Sequence, residues 1–293
     1  MTGSALPQLL AVRQHQRDGK RSPHKPLLIL LALARMAATG SSELQWTATG
    51  RKLGELLAEF GPPSTASLSQ AAAYPFTRLR SDQVWTLSSD VPMDLVSPLN
   101  NQDVSGRFAA EVEAQLRSRD VIHATARSIV ESEFPASLVE DVLAAVGFDP
   151  NETMSGTRRD HSRRREAGWP LRVIAAWDRQ CAFCGFDGQL GMGSVGLEAA
   201  HVRWFNFDGP DHLDNGLALC ALDHKLFDRG ALGLSVDFRI QVSAAFSART
   251  EAGRRVYELL GKSLQPRAGT PLPAARHVAW HTSQVFRGTA SSR

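Results

Sequence analysis

Two short, matched spacings in the second half of the chain limit its possible folds more than anything else in the sequence. "CAFCGF" puts Cys181 and Cys184 two residues apart, and Cys220 and Asp223 repeat that interval. A tight knuckle with this spacing aims two thiolates at one tetrahedral ion. Asp223 stands where a second such pair would carry its last cysteine. The expectation is therefore a structural Zn2+ held by Cys181, Cys184, Cys220 and Asp223, with a carboxylate completing the set. An odd count of three cysteines with a single CxxC fits metal ligation in a reducing compartment better than a disulfide framework.

A sharper signal lies between and beside those pairs. "LEAAHVRWF" presents His201 at the end of an apolar strand, and "DNGLALC" puts Asn215 before a short apolar segment. "DHKLFDRG" sets His224 and Asp228 one helical turn apart, so both side chains share a face and reach one cation. The order His, Asn, His within a cysteine-knuckled strand, strand, helix unit resembles the HNH nucleases, the ββα-metal fold, over about Trp169 to Ser243. That resemblance implies His201 as the base that deprotonates water and Asn215 as the residue that holds the catalytic loop. It also implies that His224, with Asp228, binds a catalytic Mg2+ or Mn2+. Phosphodiester hydrolysis asks for these parts: an activated water on one side of phosphorus and stabilisation of the departing 3′-oxygen on the other. Some members carry a metal-binding His or Asp immediately before the base, whereas here that residue is Ala200. Asp228 and Glu198 both stay open for the second coordination position.

A chain of 293 residues exceeds one small domain and implies about two. With 43% hydrophobic and 22% charged residues, wholesale disorder, collagen-like repeats and coiled coil are excluded. The longest apolar run, "PLLILLALA" from Pro26 to Ala34, stops at Arg35, about half the length of a bilayer crossing. The first residues lack the charged start, apolar stretch and cleavage site of a signal peptide, so the expected location is the cytoplasm, with no membrane partner. Charge is unevenly distributed. Met1 to Lys52 carries eight Lys/Arg against two acids, a net of +6, while Asp90 to Pro150 carries four Arg against eleven acids, a net of −7. Arg158, Arg159, Arg163, Arg164 and Arg165 then fall within eight residues. Such alternation suggests a polyanion bound by particular surfaces.

Hydrophobic periodicity predicts a core helix over Ser22 to Gly40, a short strand at "ELQWTA" and a second helix at "TGRKLGELLAEFG". "FTRLRSDQVWTL" reads as a hairpin turning at Ser81 and Asp82, and Gly106 to Gly147 reads as helical. "DPNETMSGTRRDHSRRR" is too poor in apolar residues to fold alone and reads as a linker. The fold class expected is α+β. A mixed DNA-reading domain with winged-helix-like features spans 1–150, an Arg-rich linker spans 151–167, and a zinc-containing ββα-metal nuclease spans 168–293.

In the first half, "RSPHKPLLILLAL" and "AAYPFTRLRSDQVWTL", together with the HNH half, resemble the McrA-type restriction endonucleases, whose sulfur-binding domain recognises phosphorothioate-modified DNA. A phosphorothioate keeps the phosphate charge but replaces one oxygen with a larger, softer, more weakly hydrated sulfur. An apolar concavity distinguishes the two where cations do not. The resemblance implies Tyr74 and Pro75 as the surface for sulfur. Arg21, His24, Lys25 and Arg78 offer charge-assisted bonds to adjacent phosphates or guanine. The loop "NNQDVSGRF" supplies Asn100, Asn101, Gln102 and Arg107, residue types that make paired bonds to base edges. The implied function is a modification-dependent type IV restriction endonuclease acting on phosphorothioated double-stranded DNA. Two alternatives stand beside it: an HNH enzyme directed to methylated or hydroxymethylated cytosine, and a non-catalytic zinc-containing DNA-binding regulator. One hydrolytic centre per chain against two antiparallel strands implies a homodimer on DNA, or one chain that nicks and rebinds.

Overall fold

The computed structural model describes residues 5–12, 22–155, 166, 168–264, 266 and 268–288. It divides into two compact units, Met1–Ser162 and Arg163–Arg293. Among the described residues the first unit contains α1 (Ala5–Leu10), α2 (His24–Thr39), β1 (Leu44–Gln45), α3 (Trp46–Phe60), α4 (Leu68–Arg78), β2 (Trp85–Leu87), α5 (Val96–Asn101), β3 (Ser105–Phe108), α6 (Ala110–Glu113), α7 (Arg119–Glu133), α8 (Ala136–Val146) and α9 (Pro150–Met154). The second contains α10 (Trp169–Ala176), β4 (Gln189–Leu190), β5 (Gly193–Ser194), β6 (Leu197–His201), β7 (Gly216–Cys220), α11 (Ala221–Asp228), β8 (Leu232–Leu234), β9 (Ile240–Val242), α12 (Glu251–Arg254) and α13 (Ala275–Gln284).

In the first unit α2 is the hub. Pro26 sits in its first turn, where a missing N–H costs nothing, and Gly40 ends it with φ of +79°, donating its N–H to Met36 O. Leu27, Leu28, Leu30 and Leu33 are fully buried all round its circumference, because α3, α4, α7 and α8 pack on it. A three-stranded antiparallel sheet of order β1-β3-β2 flanks the helices. Edge-on aromatic contacts run from Trp46 to Phe76, Phe76 to Trp85 and Trp85 to Phe108, tying α3 and α4 to β2 and β3. The second unit is built on the antiparallel pair β6 and β7, registered from Leu197 opposite Cys220 to His201 opposite Gly216. Buried Leu217, Leu219 and Phe227 join α11 to that pair. None of the described helices is long and apolar enough to cross a membrane.

Several local expectations are corrected. Residues 76–87 form no hairpin: Phe76–Arg78 continue α4, Leu79–Asp82 make a 3-10 turn, and β2 pairs with β3. Ala72, Phe76 and Leu79 are fully buried at helical spacing, so burial overrides the period of two in "FTRLR". The strand at "ELQWTA" ends at Gln45, and Trp46 already opens α3. Gly106–Phe108, expected as helix, are strand because β3 is paired on both edges, with β1 and β2. The segment read as linker opens with α9, whose Thr153 is buried against His123. Arg158, Arg159 and Arg163 to Arg165 lie outside the described residues.

Helices α3 and α4 approach so closely that a Cβ on Gly54 would stand 2.7 Å from the Leu68 carbonyl oxygen. Gly54→Ala ought to stabilise an isolated helix by about 1 kcal/mol. The clash is with backbone, however, so a net destabilisation of about 1–3 kcal/mol is expected. Urea unfolding of the first unit checks the sign.

Candidate functional site

In the second unit the knuckle is built by the backbone. Cys181 N–H donates to Phe186 O, Gly185 N–H donates to Cys181 O, and Gly185 takes φ of +77°, which lets the chain turn within one residue. Ala182 N–H donates to Ala218 O, which fastens the knuckle to β7. Cys220 ends β7 as the N-cap of α11, and Asp223 follows in the first turn. Ligand atoms of Cys181, Cys184, Cys220 and Asp223 therefore all lie within 4.8 Å of one another. The Sγ atoms of Cys184 and Cys220 are 3.8 Å apart, and Cys181 Sγ is 3.1 Å from Asp223 Oδ2. Burial, then the neighbouring Cys181, pushes the Asp223 carboxyl up to about 6. Hydrogen bonds with Cys181 and then Cys184 hold the Cys220 thiol down at about 4, while those with Cys181 and then Cys220 push the Cys184 thiol up. Three thiols and a carboxylate gathered this closely make a site suited to a cation.

His201 ends β6 with its side chain 8% exposed. Its ring stacks on Trp169 at 3.8 Å between centroids and 16° between planes, and its Nε2 lies 2.8 Å from Asp211 Oδ1. Asn215, fully buried, closes the loop between the strands. Its Oδ1 accepts from Arg203 N at 2.8 Å, and its Nδ2 donates to Arg203 O at 3.0 Å and Pro210 O at 3.1 Å. His224 on α11 has Nδ1 2.7 Å from Glu198 Oε2 and Nε2 3.1 Å from Asp228 Oδ2. Asp228 is buried, and its Oδ1 accepts from Trp204 Nε1 at 2.9 Å. Burial alone would lower the His224 pKa, but Asp228 and then Glu198 outweigh it and raise it to about 9. Both carboxylates that the sequence left open beside Ala200 thus meet this one imidazole. Asp211, Trp169 and Trp204 are neighbours that sequence reasoning missed. Asp211 has no spacing signature, and the folded loop alone brings it to His201.

In the first unit Tyr74, Arg78 and His24 are brought together. The Arg78 guanidinium carbon lies 5.1 Å from the Tyr74 ring centroid, and burial, then the charge of Arg78, lowers the His24 pKa. Arg78 makes a two-point bond to Asp94, at 2.7 and 2.5 Å. Lys25 is ion-paired with Asp82 and Arg107 with Glu113. Pro75 is buried inside α4, whereas Tyr74 is half-buried. Asn100, Asn101 and Gln102 are exposed at the end of α5, but the side-chain Oδ1 of Asn100 accepts from Trp46 Nε1 at 2.6 Å. The loop expected to hold these residues is shorter than anticipated, since Asn100 and Asn101 are helical and Arg107 is on β3. Arg21 lies outside the described residues.

The family model of the ScoMcrA-like DNA sulfur-binding domain matches residues 4–151, half of the chain. The chain belongs to this family. An HNH endonuclease domain matches residues 181–235, which contain the four-ligand group, His201, Asn215, His224 and Asp228, so the second half is a nuclease. The sulfur-binding domain of ScoMcrA complexed with phosphorothioated DNA is similar at 19% identity and a TM-score of 0.44, over 52% of this chain and 99% of that one. The modification-dependent TagI restriction endonuclease shares 23% identity at a TM-score of 0.33, over 42% of this chain and 39% of that one. The type IV phosphorothioation-dependent restriction endonuclease ScoMcrA shares 19% identity at a TM-score of 0.42, over 68% of this chain and 36% of that one. The chain thus spans well under half the length of these two restriction enzymes. At these scores the superpositions carry no residue correspondence. No curated protein matches.

Asn215→Ala would strand the Arg203 amide and two loop carbonyls in a dry interior. A loss on the order of 3 kcal/mol is expected for the second unit, measurable as a fall in its denaturation midpoint.

Proposed function

We propose that this protein is a modification-dependent restriction endonuclease of type IV. On this reading it binds phosphorothioated double-stranded DNA through its first unit and hydrolyses phosphodiester bonds near the modification with its second. The observation that carries the reading is the union, in one chain, of a DNA sulfur-binding domain with an HNH domain that has His201 at the end of one strand, Asn215 in the loop between the paired strands and His224 on the helix that follows them.

The order helix, strand, helix, helix, strand over α2 to β2, with β3 returning after the short α5 to complete the three-stranded sheet, supports a winged-helix-like DNA reader. The Tyr74 ring offers the softer sulfur a weakly hydrated face, beside Arg78 and His24 for the phosphate charge. A pocket of this kind discriminates by about 1–3 kcal/mol. Arg21, Lys25, Pro75, Asn100, Asn101, Gln102 and Arg107 complete the proposed contact set, with Lys25, Arg78 and Arg107 exchanging carboxylate partners for DNA.

A structural Zn2+ fits the Cys181, Cys184, Cys220 and Asp223 group, because Zn–S bonds of about 2.3 Å set a tetrahedral edge of about 3.8 Å, the separation of Cys184 and Cys220. His224 with Asp228, and Glu198 beside them, would hold Mg2+ or Mn2+, since two carboxylates with an imidazole suit a hard divalent ion. When bound, that ion supplies Lewis-acid stabilisation of the departing 3′-oxygen. His201 takes the proton of the attacking water, and Asn215 keeps the loop beneath it closed. Thiolates gathered without a disulfide suit the reducing cytoplasm. One base per chain and two antiparallel strands favour a homodimer on DNA.

His201→Ala is expected to slow cleavage of phosphorothioated plasmid by about 10²- to 10⁴-fold while metal content and DNA binding persist; near wild-type cleavage would remove His201 from the mechanism. Plain and methylated plasmids should survive where the phosphorothioated one is cut. Cys181→Ser should lose zinc and unfold the second unit, since structural metal binding is folding free energy. Metal analysis of purified active protein with no zinc contradicts it.

A further inference from the structure

We infer that Asp211 is the positioning residue of the hydrolytic site: it fixes the orientation and tautomer of His201 and favours the imidazolium that forms when His201 takes the proton from water. The inference rests on the reading of His201 as base. Asp211 Oδ1 lies 2.8 Å from His201 Nε2, and both side chains are largely withdrawn from solvent, at 8% and 12% exposed. An ionised carboxylate only accepts, so Nε2 carries the hydrogen and the lone pair belongs to Nδ1. The carboxylate is itself held. Its Oδ2 accepts from the Glu166 backbone N–H at 2.7 Å, and Asn215 grips the carbonyl of Pro210, the residue just before it, at 3.1 Å. Trp169 stacks on the imidazole at 3.8 Å and donates its indole N–H to His212 O at 3.2 Å, so the ring has a fixed plane as well as a fixed edge.

This arrangement gives the buried amide a chemical purpose. Asn215 closes the loop, the closed loop carries Asp211, and Asp211 aims the imidazole. In the step it serves, a water proton moves to Nδ1, the water oxygen bonds to phosphorus, and the bond from phosphorus to the 3′-oxygen breaks. The imidazolium then left between Trp169 and Asp211 is neutralised by the Asp211 carboxylate, as a buried aspartate steadies the histidine of a hydrolytic triad. Among the described residues, the charged groups near this pair include the Glu166 carboxylate, paired with Arg172 at 2.6 and 2.8 Å, and His212. The Glu166 and Arg172 charges offset each other, and Asp211 bonds the imidazole at Nε2.

The test uses the full-length protein, purified with its metals, on phosphorothioated plasmid with Mn2+. Single-turnover cleavage is followed from pH 5.5 to 9 for wild type, Asp211→Asn, His201→Ala and the double variant. Asp211→Asn should lower the plateau rate by about 10- to 10³-fold, within the range general-base catalysis supplies. DNA binding without Mn2+, zinc content and thermal midpoint should change little. A carboxylate beside an imidazole favours its charged form, so its removal lowers the His201 pKa, and the rise of rate with pH should move to lower pH. In the His201→Ala background the same substitution should add no further loss, because the two residues act as a unit. Long-range proton–nitrogen spectra of His201 should report an Nε2–H ring in wild type and lose that preference in Asp211→Asn, a readout independent of cleavage.

An unchanged rate and pH profile for Asp211→Asn alongside an inactive His201→Ala overturns the inference and leaves the base reading intact. A further loss in the double variant also overturns it, by giving Asp211 a separate role. Near wild-type cleavage by His201→Ala overturns the base reading first and the inference with it.

Discussion

The side chain of Asn215 is the hinge on which the second unit is organised. Fourteen residues outside the strands separate β6 from β7 in a segment that has to be dense enough to bury Trp204, Phe205 and Phe207. Irregular backbone in a dry interior leaves carbonyls and amides without ladder partners, each of which costs roughly 1–3 kcal/mol if unmet. One primary amide answers three of these groups at once, on both sides of the loop, and is itself fully buried. Neither a serine hydroxyl nor an ionised carboxylate offers one acceptor and two donors in that fork. The strand pair fixes where the loop starts and ends, and the amide fixes how it is folded between.

Charge is organised by a similar reciprocity in the first unit. Cations of this unit are met in space by acids that follow them in the sequence. Lys25 pairs with Asp82, Arg78 with Asp94 and Arg107 with Glu113, so cations from near the N-terminus and from α4 and β3 are covered by acids further along the chain. The Arg78 and Asp94 side chains are 41% and 29% exposed, and a pair at that exposure is worth about 0–1 kcal/mol. A phosphate carries the same charge as the carboxylate it would displace. Exchanging one for the other therefore costs little, and on the proposed reading these pairs keep the guanidinium and ammonium groups oriented until DNA takes the place of the acids. Affinity then falls steeply with salt, whereas discrimination at Tyr74 depends on how weakly sulfur is hydrated.

What was legible in sequence was the part written in local spacing. Two residues between cysteines, a strand ending at His201 and one helical turn from His224 to Asp228 all follow from the geometry of a knuckle, a strand and a helix, and the structure has each of them. What was illegible depends on contacts far along the chain. The four residues of β3 read as the start of a helix because nothing near them reveals pairing with both Leu44–Gln45 and Trp85–Leu87. The end of helix α4, Phe76–Arg78, read as half of a hairpin, since a proline such as Pro75 just before it normally ends a helix by a lost hydrogen bond. Burial of Ala72, Phe76 and Leu79 outweighs that loss. Asp211 was invisible for the same reason: its distance to His201 is set by three hydrogen bonds of Asn215, not by any period.

These arrangements share a feature that bears on how such a chain stays harmless to DNA it should not cut. The groups assigned to chemistry are already partnered within the fold. His224 stands between Glu198 and Asp228, and those two carboxylates raise its pKa to about 9 against the effect of burial. On the proposed reading a divalent ion entering there displaces a proton from His224, because one imidazole nitrogen has to expose a lone pair to it. Ion binding and proton release are thereby linked, and the site gains affinity for the ion as pH rises. In the first unit Asp94 and Glu113 likewise hold Arg78 and Arg107 until an anion competes. Each unit thus rests in a charge-balanced state that its own ligand must exchange, and under the proposed function cleavage requires both exchanges on the same DNA.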